Sequence, residues 1–557
     1  MSSKKEREEL LFCPLGGSGE IGMNMNLFSY GIPENQKWII VDVGVTFADD
    51  SVPGIDLIYP DPGFIIDKKK DLLGIVLTHA HEDHIGAIAH IWPRLKCKMY
   101  ATPFTAVLIK EKFKEKNINI GNNLKIVDLN GNIKLGPFKI EFITLTHSIL
   151  EPNGLLIETP AGNVLHTGDW KVDPNPLIGD KINQTKLKNI GNKGVLAMIC
   201  DSTNVLNAGR AGSESDVRIN LLKIMSNLKK RIVVTSFASN VVRMETIFHC
   251  AEKTGRKISL VGRSMHKIFK AARQCGYLKN VIEPIDPRDA KKIPREKIVY
   301  LCTGSQGEPM GAMMRIINYT HPEVFIEKED TVIFSSKIIP GNEKKLYKLQ
   351  NQLIKNQINV ISEETDFVHV SGHPNREDLR DMYNWVKPKS VIPVHGEHRH
   401  MAEHIMFAKE MQVPYPVQVE NGDIIKLFPG EKPETIDKAP VGKIFVDGNV
   451  AISEDSQSIR ERKKLASNGY LEVTIMINGK GKLFKKPVLS FKGLPIEDTQ
   501  EFFYDLEDEI NNTSKTFSLN NKKQENNLIE ALKINCRKIV KEKTGKKPYT
   551  NINLVRI

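Results

Sequence analysis

Four potential metal donors fall within six residues, His79-Ala80-His81-Glu82-Asp83-His84, directly after the apolar run Leu73-Gly74-Ile75-Val76-Leu77-Thr78. Strand side chains alternate between two faces and helical ones spread around a cylinder, so these four cannot all point one way in either. The segment must be a compact loop at a strand's end that wraps its side chains around a common point. A mixture of imidazole and carboxylate suits zinc or manganese, whereas magnesium and calcium prefer all-oxygen shells.

Six residues are too few to close two coordination shells, so further donors are expected where other strands end. His147 follows Phe142-Ile143-Thr144-Leu145-Thr146, Asp169 lies just past Val164-Leu165-His166-Thr167-Gly168, and His395 follows Val391-Ile392-Pro393-Val394. With the loop they make five histidines and two aspartates. That set suffices for two ions with one carboxylate bridging them.

The 557 residues predict about three or four domains, or fewer large ones. Hydrophobic residues at 40% and charged residues at 26% exclude wholesale disorder and a fibrous chain. The formal charge of +12 favours a polyanionic partner only weakly, being spread over a large surface. Seven cysteines, widely spaced and never in a C-x-x-C pair, argue against a disulfide framework and a four-cysteine zinc site, and fit a reducing compartment. No apolar run reaches the length of a membrane span, and MSSKKEREELLFCPL lacks the apolar core of a signal peptide. A soluble, cytoplasmic protein without a membrane partner is expected.

From residue 10 to about 205, short apolar runs alternate with Gly, Pro and Asn and read as strands. From about 213 the texture changes to helices over 213–229 and 240–254 interleaved with strands at 231–236, 257–261, 297–302 and 331–335, the pattern of βαβ units on a parallel sheet. Residues 430–465 read as a linker or crossing segment. A strand over 470–477, an acidic stretch at 497–509 and a helix over 526–543 suggest a small α+β tail domain. Residues 521–557 hold ten Lys/Arg against three Glu, which fits a solvated basic helix face or, alternatively, contact with nucleic acid.

Gly17-Ser18-Gly19-Glu20-Ile21-Gly22 spells G-x-G-x-x-G, with Asp42 placed 20 residues beyond Gly22 as in dinucleotide-binding turns. That turn must open a helix whose N-terminus holds the pyrophosphate, whereas Met23-Asn24-Met25-Asn26-Leu27-Phe28-Ser29-Tyr30 alternates like a strand. A tight glycine turn between two strands is expected instead.

The donor set His79, His81, Asp83, His84, His147, Asp169 and His395 resembles the metal site of the metallo-β-lactamase fold. Together with Leu15-Gly16-Gly17-Ser18-Gly19-Glu20-Ile21-Gly22, Ser236-Phe237-Ala238-Ser239-Asn240, His369-Val370-Ser371-Gly372-His373 and Pro393-Val394-His395-Gly396-Glu397, it resembles the nucleic-acid-processing β-CASP branch, and within it the bacterial ribonuclease J family. The likeness runs from about residue 10 to the C-terminus and is vaguer beyond about 400. It implies an α/β fold: a metallo-β-lactamase αββα sandwich in two parts, 1–212 and 371–465 with the linker, an inserted β-CASP α/β domain at 213–370, and a small α+β C-terminal domain at 466–557. It also implies two zinc ions per chain, with manganese as an alternative. His79, His81 and His147 would hold one, Asp83, His84 and His395 the other, and Asp169 would bridge. Asp42 matches the fold's buried acidic residue that supports the loop, and Asp201 and His373 match the branch's acidic and first extra histidine motifs. One departure is Pro374-Asn375-Arg376 after His373, because proline has no N–H and any backbone donor expected there is missing.

The activity implied is that of a ribonuclease with 5′-to-3′ exonuclease and endonuclease action in RNA maturation, rRNA processing and mRNA decay, preferring a 5′ monophosphate. Two cations about 3.5–4 Å apart bridge a hydroxide and neutralise charge growing on a phosphodiester. Asp83, Asp201 and His373 are the expected catalytic groups, with His373 placed to protonate the leaving 3′ oxygen. Ala238, Ser239 and Asn240 stand at a helix start suited to phosphate, and His369, Val370, Ser371, Gly372 and His373 are expected to hold the substrate's terminal nucleotide. As plain sequence each loop is equally an ordinary helix cap or turn. The alternatives are a DNA-directed or tRNA-end nuclease of the same fold and a non-catalytic RNA-binding scaffold, which the intact donor set argues against. The partners expected are RNA and a second copy, as homodimer or homotetramer, because Leu471 to Ile477 and the stripe Leu528, Ile529, Leu532 and Ile539 look too apolar for a small domain to bury alone. Other RNA-decay proteins are further candidate partners. Asp49, Asp50, Asp56, Asp61 and Asp447 are candidate donors for an additional divalent ion, although solvated loops account for them more simply.

Overall fold

The computed structural model describes residues 7–557 apart from 50, 431, 480, 481, 498 and 520. The chain divides into two compact units, one formed by the chain up to Thr46 with Tyr59–Val441, the other by Phe47–Ile58 with Gly442–Ile557.

Two large sheets form the heart of the first unit. Glu9–Gly16, Met25–Gly31 and Lys37–Val41 run antiparallel at the centre of an eight-stranded sheet, and Lys37–Val41 then pairs in parallel with Leu72–Val76. In a seven-stranded sheet, Phe138–Thr144, Asn153–Thr159 and Gly162–His166 form a meander, after which Gly162–His166, Ala197–Asp201 and Ser390–Val394 run parallel. The facing surfaces bury Phe12, Phe28, Val41 and Val76 with Phe138, Phe142, Ile157 and Ile392. Outside the second sheet, Gln184–Lys193, Arg376–Val386 and His398–Glu410 lay Leu187, Leu379 and Phe407 onto Met198 and Val391. Ile88–Leu95 and Pro103–Glu115 flank the first sheet. This is the expected αββα sandwich. Its parallel strands are buried on both faces, which is why they read as unbroken apolar runs.

The inserted region forms a five-stranded, wholly parallel sheet in the order Lys257–Val261, Ile298–Cys302, Ile232–Thr235, Thr331–Phe334, Asn359–Ile361. Its helices include Glu214–Asn227, capped by Ser213, and Val241–Lys253, capped by Asn240. After the glycine turn at 17–22 the chain enters the strand Met25–Gly31 and no helix, as the alternation predicts.

Two expectations need correcting. Residues 430–465 are not a bare linker: they form Glu434–Lys438, Lys443–Asp447, Val450–Ser453 and the helix Gln457–Asn468. Glu434–Lys438 is exposed along its whole length at a sheet edge, so it carries no apolar alternation for a sequence pattern to find. The tail, in turn, buries its own apolar face. In the sheet Val488–Lys492, Tyr470–Ile477, Tyr549–Arg556, alternate residues Leu471, Val473, Ile475 and Ile477 pack on Phe502, Leu506 and Ile510 of Thr499–Lys515 and on Leu528, Leu532, Cys536 and Val540 of Lys522–Thr544. The acidic stretch is the polar side of an amphipathic helix, and the stripe at Leu528 and Leu532 supplies no reason for a second copy. No helix among the described residues is long and apolar enough to cross a membrane.

Candidate metal centre

The donors are delivered by the carboxyl ends of parallel strands, the edge where open α/β sheets place ligands. Leu72–Val76 leads into Thr78 to His84, Gly162–His166 into Asp169, Ala197–Asp201 ends on Asp201, and Ser390–Val394 leads into His395. His81 stands at the start of a single helical turn, Glu82–Ile85, which folds Asp83 and His84 back towards the strand ends. Backbone bonds fix this turn: Val43 N–H donates to His84 O at 2.7 Å, Val45 N–H to Glu82 O at 3.0 Å and Asn24 N–H to Asp83 O at 3.0 Å. A Cβ on Gly44 would sit 1.7 Å from Asp83 O, so only glycine lets the two backbones approach this closely.

His79, His81, His147 and Asp169 form one donor group, and Asp83, His84, Asp169 and His395 a second, with Asp169 common to both. His79 Nε2 and His147 Nε2 each lie 3.1 Å from His81 Nδ1, and Asp169 Oδ2 lies 3.8 and 3.9 Å from the first two. In the second group Asp169 Oδ2 is 3.1 Å from His84 Nε2 and 3.5 Å from His395 Nε2, and Asp83 Oδ2 is 3.5 Å from His395 Nε2. Most of these side chains are closed off, but 31% of the Asp83 side chain and 22% of that of His373 remain exposed, so the cluster opens to solvent on their side.

The outer ring nitrogens decide whether the cluster suits a cation. Thr78 Oγ1 donates its proton to Asp42 Oδ2 at 2.8 Å, so towards His79 Nδ1, 3.0 Å away, it can only accept. His147 Nδ1 faces the Gly372 carbonyl at 2.5 Å and likewise carries the proton. Nε2 of both rings is therefore a bare lone pair, and both converge on His81 beside a carboxylate. Such a nest of acceptors without matching protons is what a bound cation satisfies, and outer-nitrogen partners of this kind are how metal-binding histidines are oriented. Burial, with neighbouring imidazoles, holds His79 and His147 well below the usual histidine range, and burial lowers His81 to about 4. Burial also opposes charge on His84, but the Asp169, Asp83 and Asp42 carboxylates outweigh it and raise that ring. The residues fit divalent metal.

Asp42 does as expected: its Oδ2 accepts from His84 Nδ1 at 2.7 Å and its Oδ1 from Thr78 N–H at 2.8 Å. Asp42 and His395 both hold left-handed backbone, φ 63° and 55°, strain of the kind that collects at functional sites. The glycine turn has a structural task here, because His395 N–H donates to Gly17 O and Ser18–Gly19 pairs with Gly396–Glu397.

Beside the cluster, His373 Nδ1 lies 2.7 Å from Asp201 Oδ2 and 3.9 Å from Asp169 Oδ2. Burial disfavours charge on His373, yet Asp201, with Asp169 and Asp83, pushes it up to about 9. Thr203 donates to Asp201 Oδ1 through its N–H and hydroxyl. Ser371 Oγ accepts from His373 N–H and Asn204 Nδ2, and Val370 is buried. Gly372 turns its carbonyl onto His147, and a Cβ there would lie 2.7 Å from that ring. After Pro374, Asn375 caps Arg376–Val386 in a capping box with Asp378. The other expected loop behaves differently. Asn240 Oδ1 accepts from Arg243 N–H and its Nδ2 donates to Glu214, so its side chain is an ordinary helix cap, while Ala238 and Ser239 are half-buried beside it. Asp49 and Asp61 accept from the Ser51 and Gly63 N–H groups, and Asp447 pairs with Arg462. Among the described residues none of these, nor Asp56, joins a donor cluster, and Asp50 lies outside the described residues.

Sequence reading missed Asn24, Thr78, Asn204 and, above all, Arg243. This fully buried guanidinium binds both carboxylate oxygens of Glu214, Ser335 and the Val368 carbonyl, and so ties the helix start at Asn240 to the 368–373 segment. A signal existed, since Arg243 interrupts the apolar face of Val241–Lys253 that holds Ile247 and Ala251.

The facing sheets, the flanking helices and the imidazole–carboxylate set at the strand ends define a divalent-metal site of the metallo-β-lactamase class. Family comparisons agree. Residues 37–189 match a beta-lactamase superfamily domain, 229–353 the ribonuclease J beta-CASP domain, 357–417 the Zn-dependent metallo-hydrolase RNA specificity domain and 457–557 the ribonuclease J C-terminal domain. Ribonuclease J of Sinorhizobium meliloti is 38% identical over 552 residues, 99% of this chain and 98% of that protein. Ribonuclease J2 of Bacillus subtilis is 33% identical over 86% of each chain. The chain belongs to the ribonuclease J family. A crystal structure of a protein of unknown function from Enterococcus faecalis shares the fold, with a TM-score of 0.52 and 17% identity over 75% of this chain and the whole of that one.

Proposed function

We propose that this chain is a metal-dependent ribonuclease that hydrolyses RNA phosphodiesters with two zinc ions, or manganese in their place, both 5′ to 3′ from a monophosphorylated end and internally, in RNA maturation and mRNA decay. The observation that carries the reading is the Asp201–His373 pair standing 3.9 Å from the carboxylate shared by both donor groups. His79, His81 and His147 would hold one ion, Asp83, His84 and His395 the other, and Asp169 both. Bound divalent ions supply Lewis acidity at the phosphate and a more acidic attacking water.

The chain's own residues do the rest. His373, kept protonated by Asp201, donates its proton to the 3′ oxygen as the P–O3′ bond breaks, which leaves the 5′ phosphate on the released product. The start of Val241–Lys253 with Ala238 and Ser239, and the turn at 369–373, hold the terminal nucleotide and its phosphate. A monophosphate is a compact dianion for these loops to surround, and a triphosphate is bulkier.

The test is purified protein on matched single-stranded RNA and DNA, with mono- or triphosphorylated 5′ ends, with and without chelator. Chelator-sensitive cleavage of RNA, faster from the monophosphate, is expected. Equal action on DNA, or cleavage that survives chelation, would overturn the reading.

A further inference from the structure

In the second unit, Lys492, Tyr470 and Tyr549 are cross-strand neighbours in one row of the three-stranded sheet. Strand side chains alternate, so this row lies on the face opposite Leu471, Val473, Ile475 and Ile477, away from the two long helices. The tyrosine rings stack, 6.2 Å apart and 19° from parallel. With Glu461 and Leu465 of Gln457–Asn468, and with Gly469 and Gly493, they line a cleft of about 480 Å³, a size that accommodates a nucleoside-sized group.

Lys492 is the cation of the lining, and Lys546 and Lys547 stand at the end of the bordering helix, where Lys546 Nζ donates to Ser467 O and Lys547 N–H to Asn468 Oδ1. The one lining carboxylate, Glu461, already accepts from Tyr549 OH at 3.1 Å. Further along the face the neighbours are Ser490, Glu472 and Asn551, then Val488, Thr474 and Asn553, so the row beside the cleft is hydrogen-bonding surface and exposed Val488 and Val555 lie beyond it.

We propose that this cleft binds single-stranded RNA, one nucleobase stacking on the Tyr470/Tyr549 pair while the lysine rim takes the flanking phosphates. The proposal rests on RNA being the substrate and adds a contact outside the catalytic unit. Stacking on aromatic side chains tolerates any base, and lysines read the backbone by charge alone, so the site would grip RNA without selecting sequence.

Full-length protein freed of metal by chelator leaves RNA uncut, and irradiating it with 4-thiouridine-substituted single-stranded RNA allows cross-linked peptides to be mapped by mass spectrometry. Cross-links at Tyr470 or Tyr549 are expected beside cross-links around 369–373. Cross-links at 369–373 alone overturn the second site and leave the ribonuclease reading standing, and cross-links at neither overturn both. In anisotropy measurements, Tyr470→Leu with Tyr549→Leu should weaken binding of an RNA of about 20 nucleotides roughly tenfold. Lys492→Glu, at an exposed position that leaves folding untouched, should weaken it most at low salt. With metal restored, KM on long RNA should rise while kcat holds. Unchanged affinity in both variants, or a change in light-scattering mass in place of RNA affinity, overturns the proposal, the latter because the face would then seat a second copy.

Discussion

Asp201 Oδ2 accepts a hydrogen bond from His373 Nδ1 at 2.7 Å while Thr203 anchors its other oxygen, so the aspartate both aims the imidazole and holds its proton. The sign of the resulting pH dependence follows. A proton donor whose pKa is raised to about 9 remains competent through neutral pH and is lost as pH climbs through that value. In Asp201→Asn the support is gone, the pKa falls, and the basic limb of the single-turnover rate profile should move to lower pH, with kcat down about 10²–10⁴-fold. A basic limb that stays in place would assign the proton to another group.

Metal content should track the donors. Wild-type protein is expected to hold about two ions per chain. His81→Ala and Asp83→Ala should lower that number and reduce RNA hydrolysis at least about 10³-fold, with the circular dichroism spectrum retained. Elemental analysis that finds fully active protein with less than one ion per chain contradicts the two-ion assignment.

The outer ring nitrogens give a subtler prediction. Thr78→Val removes the hydroxyl that accepts from His79, and Asp42→Asn weakens the grip on His84. Each should weaken metal binding about 10–100-fold in competition with a chromophoric chelator, although neither side chain is itself a proposed ligand. Wild-type affinity in both variants would mean that ring orientation is set elsewhere.

Ser239 and Asn240 separate by their contacts. Asn240→Ala should cost about 1 kcal/mol of stability through the lost cap, and the uncharged capping residue of Asn240→Ser should restore most of it. Ser239→Ala should slow decay of 5′-monophosphorylated RNA several-fold more than internal cutting, with the melting temperature unchanged. Equal loss of both activities would remove this loop from 5′-end binding.

Leu532→Ala excavates the second unit's own core and should cost about 2–5 kcal/mol there. The variant should melt earlier in calorimetry yet keep wild-type metal content. A wild-type melting profile would show that Leu532 is not packed as described.

What was legible in the sequence was whatever repeats along a strand or crowds into a loop. The apolar runs before His79, Asp169 and His395 announced strands, and donors that each follow a strand could be gathered as one set without knowing that the strands belong to two facing sheets. The supporting polar residues were opaque for a physical reason. Thr78 and Asn24 act through one hydroxyl and one amide, common groups with no spacing of their own, and Asn24 meets His395 371 residues further along the chain. Asn240 was ambiguous because one residue type serves both helix caps and phosphate sites. The tail misled in another way: its apolar stripe was correctly seen, but periodicity reveals that a face is buried and never what buries it.

The bond from His147 to the Gly372 carbonyl makes one turn of chain answerable to two ligands. If a terminal nucleotide settles the 369–373 turn, it also fixes the acceptor that keeps His147 Nε2 bare, and so strengthens the ion's hold. Linkage requires the reverse to be equal: an ion that pins His147 tightens the turn on RNA by the same factor. Substrate and metal then behave as mutual effectors, and protein poor in metal would hold RNA ends more weakly as well as fail to cut them.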